Sequence, residues 1–155
     1  MIDPEIQRAA EQGDADAQCR LGDIYYQGSD EFPRDAKKAV YWYRMAAEQG
    51  NADAQCQLGE MLLYGDVKEG FKWCRMAADQ GHPGAQFTLG WMYEKGEDFP
   101  KDLSEAAEWY RKAAGQGYAL ASASLEGVMR EMKREKNARN EAAEDEEIQG
   151  YRTKL

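Results

Sequence analysis

The sequence predicts an all-α protein, an α/α superhelix (solenoid) built from stacked helix pairs. Three observations support this prediction. A segment that begins near Ala17 and ends at Gly50 opens again at Ala54 and at Ala85, and a period of about 34 residues is typical of helical repeat arrays. Apolar residues recur at helical spacing, and no segment shows the period of two that strands require. Each copy also ends in glycine, a frequent residue just after a helix.

The repeats divide the chain into an array over residues 1–136 and a charged C-terminal tail over residues 137–155. The array is predicted to hold a half-repeat cap at 2–13, three repeats at 15–50, 52–81 and 83–117, and a closing helix at 119–136. The cap ends in the same Ala-Ala-Glu-Gln-Gly sequence as the first repeat, so it corresponds to a second helix. The chain should therefore form eight helices and no strand, with fraying beyond residue 136.

Each repeat carries a glycine in the middle of its first helix. Gly22, Gly59 and Gly90 occupy equivalent positions, although glycine costs about 1 kcal/mol of helix propensity relative to alanine. We therefore expect the paired second helix to approach too closely for a side chain. Asp35 and Asp102 follow a proline-containing loop and are predicted to cap the second helices.

Composition excludes several classes of function. The net charge of −9 argues against nucleic acid as a partner, because phosphate binding requires clustered Lys and Arg. No apolar run is long enough for a membrane span. The N-terminus shows no signal-peptide pattern, and three scattered cysteines suit a reducing compartment. A cytoplasmic location is therefore expected, the alternative being a periplasmic or secreted protein whose signal peptide was removed.

The sequence offers no catalytic, cofactor-binding or metal-binding constellation. The single histidine, His82, precedes a proline in a connector, where a turn residue is the simple interpretation. One His and three separated Cys give no zinc spacing. Cys74 replaces the tyrosine found at positions 43 and 110, so it is interpreted as a core residue. We therefore predict no catalytic residue, no metal and no cofactor.

The repeats resemble the Sel-one-like repeat family, whose members are related to the tetratricopeptide repeats. The family pattern is matched in the first unit by Ala15, Ala17, Gln18, Leu21, Gly22, Tyr25 and Gly28, then by Lys38, Ala39, Trp42, Tyr43, Ala46, Ala47 and Gly50. The resemblance covers residues 2–125, and unit two departs from it at Leu62 and Gly70. It implies an α/α superhelix that binds other proteins and carries out no chemistry.

Several roles are compatible with this resemblance. The main prediction is a non-catalytic adaptor or scaffold that binds a protein partner on its concave face. An alternative is a bacterial immunity protein that neutralises a secreted effector. A further alternative is an enzyme of the cysteine-rich family branch that acts on β-lactams, but this chain lacks the regular cysteine pairs of that branch. The oligomeric state is left open, a monomer being the simpler expectation.

The candidate binding surface comprises positions on the first helices that the apolar stripe does not use. The predicted partner-binding residues are Asp23, Tyr26, Gln27, Glu60, Leu63, Tyr64, Phe87, Trp91, Glu94 and Lys95. Phe87 and Trp91 stand where the other copies carry Cys and an acidic residue, so they are expected to have no packing role and to form a hot spot. The alternative is that the closing helix covers them. The acidic groove should select a basic segment with an apolar anchor.

Overall fold

A computed structural model describes residues 1–154, which form eight α-helices and no strand. The helices are α1 (Pro4–Glu11), α2 (Ala15–Gln27), α3 (Ala36–Glu48), α4 (Ala52–Leu62), α5 (Val67–Asp79), α6 (Pro83–Lys95), α7 (Leu103–Gly115) and α8 (Ala119–Thr153). Helices α2–α3, α4–α5 and α6–α7 are the three pairs, with α1 before them and α8 after them. The predicted all-α class and the number of helices are confirmed.

Short polar side chains start most of the helices. Asp35 and Asp102 accept hydrogen bonds from the backbone N–H groups of Lys38 and Glu105, both at 3.0 Å, as predicted. His82 has a more specific role than a turn residue. Its Nδ1 accepts from the N–H of Ala85 at 3.1 Å and caps α6, which is the role that aspartate or asparagine plays elsewhere.

The three recurring glycines lie where paired helices come closest. A Cβ atom on Gly90 would lie 2.6 Å from the Tyr110 ring, and one on Gly59 would lie 2.5 Å from the sulfur of Cys74. Gly22 faces Tyr43 in the same way. The close approach predicted from the sequence is therefore present in all three pairs, and it explains why each unit accepts the cost of a glycine within a helix.

Unit two departs from the family pattern because its helices approach each other more closely. Cys74 replaces the buried tyrosine of the other units and is fully buried. On the opposite helix, a Cβ atom on Gly70 would lie 2.8 Å from the carbonyl oxygen of Gly59. The smaller cysteine and the second glycine thus act together, and they allow backbone contact between α4 and α5.

A buried glutamine connects each first helix to both of its neighbours. Gln55 is 1% exposed, and its Nε2 donates to the carbonyl of Ala47 in the preceding unit at 3.1 Å. Its Oε1 accepts from Nε2 of Gln80, at the end of the paired helix, at 2.7 Å. Gln18 and Gln86 make the equivalent bonds. Buried amides therefore have partners in every unit, as buried polar groups require.

The stacking makes the first helices the inner side of the curve. Helices α2 and α4, and likewise α4 and α6, contact each other directly, whereas the second helices chiefly contact first helices. This arrangement places α2, α4 and α6 on the concave face, which is the usual binding surface of helical repeat arrays.

The closing helix is longer than the sequence prediction. It continues to Thr153 instead of ending near residue 136, and residues 137–149 contain neither proline nor glycine to stop it. Only its first part packs on the array, where Ala121 and Val128 are fully buried. Lys101 ties this part to the α6–α7 loop through a 2.6 Å ion pair with Glu131. Every residue from 133 to 154 is exposed.

Candidate functional site

The concave face holds a groove between units one, two and three with a volume of about 440 Å³. Its lining residues come from α2, the α2–α3 loop, α4, α6 and the residues just after α4. They are Tyr26, Arg34, Gln57, Glu60, Met61, Leu63, Tyr64, Phe87, Thr88 and Trp91. A smaller neighbouring cavity of about 180 Å³ lies towards the α6–α7 loop, where Phe99, Glu97 and Asp98 contribute to its wall.

Three residues separate the groove from the smaller cavity and line both. These are Leu63, Tyr64 and Trp91. Tyr64 is 96% exposed and Trp91 is 43% exposed, which is unusual for large aromatic side chains in a folded protein. They therefore form an exposed aromatic ridge with a concavity on each side, and we call Tyr64 and Trp91 the aromatic ridge below.

Trp91 can face the groove because the buried tyrosine of unit three uses a different hydrogen-bond acceptor from that of unit one. In unit one, the buried hydroxyl of Tyr43 donates to Asp23, the residue after Gly22, at 2.7 Å. Trp91 occupies the position equivalent to Asp23, and it offers no acceptor. The hydroxyl of Tyr110 donates instead to Glu94, one helical turn further on, at 2.6 Å.

The prediction that Phe87 has no packing role is wrong. Its ring centroid lies 5.5 Å from that of Tyr110 and 5.2 Å from that of Tyr118, so it packs between α7 and the start of α8. The alternative raised from the sequence, coverage by the closing segment, thus holds for Phe87 but not for Trp91. Phe87 still lines the groove, where it serves as part of a rigid wall.

The carboxylates predicted to bind a partner already have internal partners. Asp23 and Glu94 accept from buried tyrosines, and Glu60 accepts from the hydroxyl of Thr88 in the next unit at 2.9 Å. Burial, followed by the bond to Asp23, raises the pKa of Tyr43 well above its ordinary value. The pKa of Tyr110 is raised in the same way by burial and the bond to Glu94. Both hydroxyls therefore stay protonated as donors.

The structure distributes the ten predicted residues over more than one surface. Six of them line the groove: Tyr26, Glu60, Leu63, Tyr64, Phe87 and Trp91. Lys95 lines the smaller cavity, and Asp23 lies in a separate acidic depression near α1. Gln27 and Glu94 line neither the groove nor the smaller cavity. The binding role of all ten remains a prediction.

Sequence reasoning missed groove residues that come from outside the first helices. Arg34 lies in the α2–α3 loop, and its guanidinium carbon is 4.2 Å from the centre of the Tyr26 ring. Glu97, Asp98 and Phe99 belong to the equivalent loop of unit three. The insertions that lengthen units one and three relative to unit two could have indicated these loops, because loops on one face of a repeat array often carry its binding residues.

The cysteines do not form a reactive site. Cys19, Cys56 and Cys74 are buried free thiols, and the first two occupy the position that Phe87 holds in unit three. Burial is the main reason why the pKa of Cys19 and that of Cys74 are raised to about 12, so neither is a thiolate at neutral pH. Within residues 1–154, no group of three or more potential ligands is arranged to hold a metal ion, and no helix is sufficiently long and apolar to cross a membrane.

Comparison with protein families identifies the repeats. The model described as Sel1 repeat matches residues 15–51, 52–82 and 83–118, which together make up most of the chain. The chain belongs to the Sel1 repeat family. Proteins with Sel1 repeats, the Sel-one-like repeats of the sequence comparison, are generally protein-interaction modules with a non-catalytic scaffold. No curated protein matches the sequence.

Solved structures of Sel1 repeat proteins show the same fold. The c5321 antigen of uropathogenic Escherichia coli, which displays an SLR fold, is 36% identical with a TM-score of 0.76, over 79% of this chain and 27% of that one. A Sel1 repeat protein from Oxalobacter formigenes is 40% identical with a TM-score of 0.69, over 79% of this chain and 96% of the other. This Sel1 repeat chain thus spans about a quarter of the antigen and corresponds to nearly all of the Oxalobacter protein.

A more distant likeness carries no functional argument. The immunity protein Pa5087 from Pseudomonas aeruginosa is 23% identical with a TM-score of 0.42, over 75% of this chain and 58% of that one. At this level of similarity, the immunity role considered from the sequence gains no support.

Proposed function

We propose that this Sel1 repeat protein is a non-catalytic adaptor that binds a segment of another protein across the aromatic ridge. The observation that carries the proposal is that Tyr64 and Trp91 stand exposed between two concavities. Large aromatic residues at the centre of a concave surface are typical binding hot spots. An apolar side chain of the partner would enter each concavity, and the ridge would lie between them.

Charge around the smaller cavity indicates the chemistry of the partner. Glu97 and Asp98 are exposed at its rim, and neither carries one of the hydrogen bonds that occupy Asp23, Glu60 and Glu94. These two carboxylates, rather than those predicted from the first helices, are therefore free to receive a Lys or Arg of the partner. Arg34, at the far end of the groove, favours an acidic or carbonyl group there. The proposed partner segment is thus apolar in the middle with a basic residue on one side.

The test is capture of partners from the source cell with tagged wild-type protein, followed by affinity measurement with the purified partner. Trp91→Ala and Tyr64→Ala should each weaken binding by about 2 kcal/mol or more if the ridge is central. Tyr41→Ala is the matched control, because Tyr41 is 58% exposed on α3 and lies outside the groove. Equal affinity of all three variants would show that the partner binds elsewhere. The activity of the partner in the complex would then distinguish a scaffold from an inhibitor.

A further inference from the structure

The last part of α8 is a helix without any packing partner in the array. Residues 133–153 are all exposed, although those up to Arg139 still border a shallow depression beside the α6–α7 loop. At 1.5 Å per residue, this segment is about 30 Å long, and its part beyond Arg139 extends away from the array. Most of the stability of a helix in a protein comes from packing of one of its faces, and this segment has no such packing within its own chain, so we expect it to pair with a partner.

The charges on this helix are separated into two blocks of opposite sign. Residues 130–139 contain five basic and two acidic residues, a net charge of +3, and residues 141–150 contain five acidic and no basic residues, a net charge of −5. Like charges three and four residues apart repel each other on a helix surface. The acidic block therefore has an unfavourable arrangement within one chain, and the net positive block is complementary to it.

On one face of the helix, basic and acidic residues lie at equal distances on the two sides of Asn140. Lys133 and Lys136 precede Asn140, and Glu144 and Glu147 follow it at the same distances. These positions are separated by three or four residues, so they lie on one face of the helix. Two copies of α8 placed antiparallel about Asn140 would set Lys136 opposite Glu144, and Lys133 opposite Glu147.

The symmetry extends to an apolar residue at each end of the stripe. Met129 and Tyr151 are both 11 residues from Asn140, and they are 52% and 65% exposed. Met129 and Met132 line a depression of about 300 Å³ between α7 and α8, together with Ala107 of α7. In the antiparallel arrangement, Tyr151 of one copy would reach this depression on the other.

We propose that the chain forms a homodimer through antiparallel pairing of its α8 helices, with Asn140 on the two-fold axis. The charges of the two copies complement each other only in this orientation, since a parallel pair would place basic block against basic block. A polar residue at the centre of a helix pair is a known device for fixing the register. The proposal departs from the simpler expectation of a monomer, and it is independent of the proposed groove function.

The first test is sedimentation equilibrium of the full chain over a range of concentrations. The wild-type mass should rise from 17.6 kDa towards twice that value. K133E/K136E and E144K/E147K should each raise the dimer dissociation constant about tenfold or more, because like charges then face each other. An equimolar mixture of these two variants should form heterodimers, and the combined fourfold variant should dimerise again. Circular dichroism of each variant checks that the array and α8 remain folded.

Cross-linking establishes the register and the orientation. The native cysteines are buried, so Asn140→Cys should give a disulfide-linked dimer under mild oxidation. Lys133→Cys should not link to itself but should link to Glu147→Cys in a mixture. A mass of 17.6 kDa at all concentrations would overturn the proposal. So would a dimer that is indifferent to both charge reversals, or Lys133→Cys self-linkage, which would indicate a parallel pair.

Discussion

The hydroxyl group of Tyr110 donates a 2.6 Å hydrogen bond to Glu94. The equivalent Tyr43 donates instead to Asp23, which lies about one helical turn before the position that corresponds to Glu94. Both tyrosines are fully buried, so each needs an acceptor. Moving the acceptor to Glu94 leaves the position of Trp91 without a structural duty. The exposed tryptophan of the groove and the altered core hydrogen bond are therefore two results of one rearrangement.

This relationship predicts that removing the carboxylate acceptor lowers the free energy of unfolding more than removing the tyrosine hydroxyl does. Asp23→Ala leaves the buried hydroxyl of Tyr43 without its acceptor, and Glu94→Ala leaves that of Tyr110 with only the hydroxyl of Ser124 nearby, so each should lower the free energy of unfolding by about 1–3 kcal/mol. Tyr110→Phe and Tyr43→Phe should have smaller effects, because a half-buried carboxylate can still bind water. Urea unfolding measures the difference, with Glu97→Ala as the exposed control. Equal losses for all of these variants would contradict the assignment.

The glycines give a matched pair of identical substitutions with opposite outcomes. Gly90→Ala places a methyl group 2.6 Å from the Tyr110 ring and should cost about 1–3 kcal/mol through overpacking. Gly127→Ala lies within α8 with no atom within 4 Å of the new carbon. It should instead stabilise the protein by about 0.5–1 kcal/mol, since alanine favours helix. Thermal unfolding of both variants decides this prediction, which fails if Gly90→Ala melts at or above the wild-type temperature.

The glutamine that links adjacent units should be hard to replace. Gln55→Leu keeps the volume, but it leaves the amide of Gln80 without its acceptor and removes a donor from the carbonyl of Ala47. We expect a loss of about 1–3 kcal/mol in the free energy of unfolding. Gln27→Leu, at an exposed position, should change it by less than about 0.5 kcal/mol. A loss of the same size for both would show that the buried bonds contribute nothing.

The free energy of unfolding should decrease as the solution becomes alkaline. Burial raises the pKa of Cys19 and of Cys74 to about 12, and it raises the pKa of Tyr43 and of Tyr110 further. The native state therefore favours the protonated forms, and this contribution is complete below the unfolded pKa values, about 8.5 for Cys and about 10 for Tyr. It is lost as the pH rises above them. Urea unfolding at successive pH values should show the decline, and Tyr43→Phe should make it less steep above pH about 10.

Truncation of Trp109 should destabilise the protein strongly, whereas truncation of Trp91 should not. Trp109 is 4% exposed and belongs to the core cluster formed by α4 to α7, whereas Trp91 is 43% exposed. Trp109→Ala should cost about 3–5 kcal/mol by leaving a cavity, and Trp91→Ala should change the melting temperature little. If Trp91→Ala unfolds the protein as severely as Trp109→Ala, the aromatic ridge is part of the core and cannot be the binding site.

The repeat pattern predicted the fold because equivalent positions in an array face equivalent positions of the paired helix. Gly22, Gly59 and Gly90 each face the same position of the second helix, whether it holds tyrosine or cysteine, so a comparison within one sequence was sufficient to infer close helix contact. The same comparison failed for Phe87, because its contact with Tyr118 comes from the segment after the last full repeat, where the equivalence ends. It failed again for the extent of α8, since charge alone does not stop a helix.

The groove was only partly predictable for a related reason. Trp91 could be recognised as a residue without a repeated packing role, whereas Arg34 and Glu97 lie in insertions whose path is not set by the repeat. The internal partners of Asp23 and Glu60 were also missed, because a carboxylate at a groove position looks the same in the sequence whether or not a core hydroxyl reaches it.

The glutamine bonds described above also determine how the array can deform. Gln55 and Gln86 each join one unit to the unit before it, and no such bond passes over a unit. Each unit is therefore bonded through these amides only to its nearest neighbours, as is general for repeat arrays. We expect a small tilt at the joints on either side of unit two to change the width that the groove offers to a bound segment.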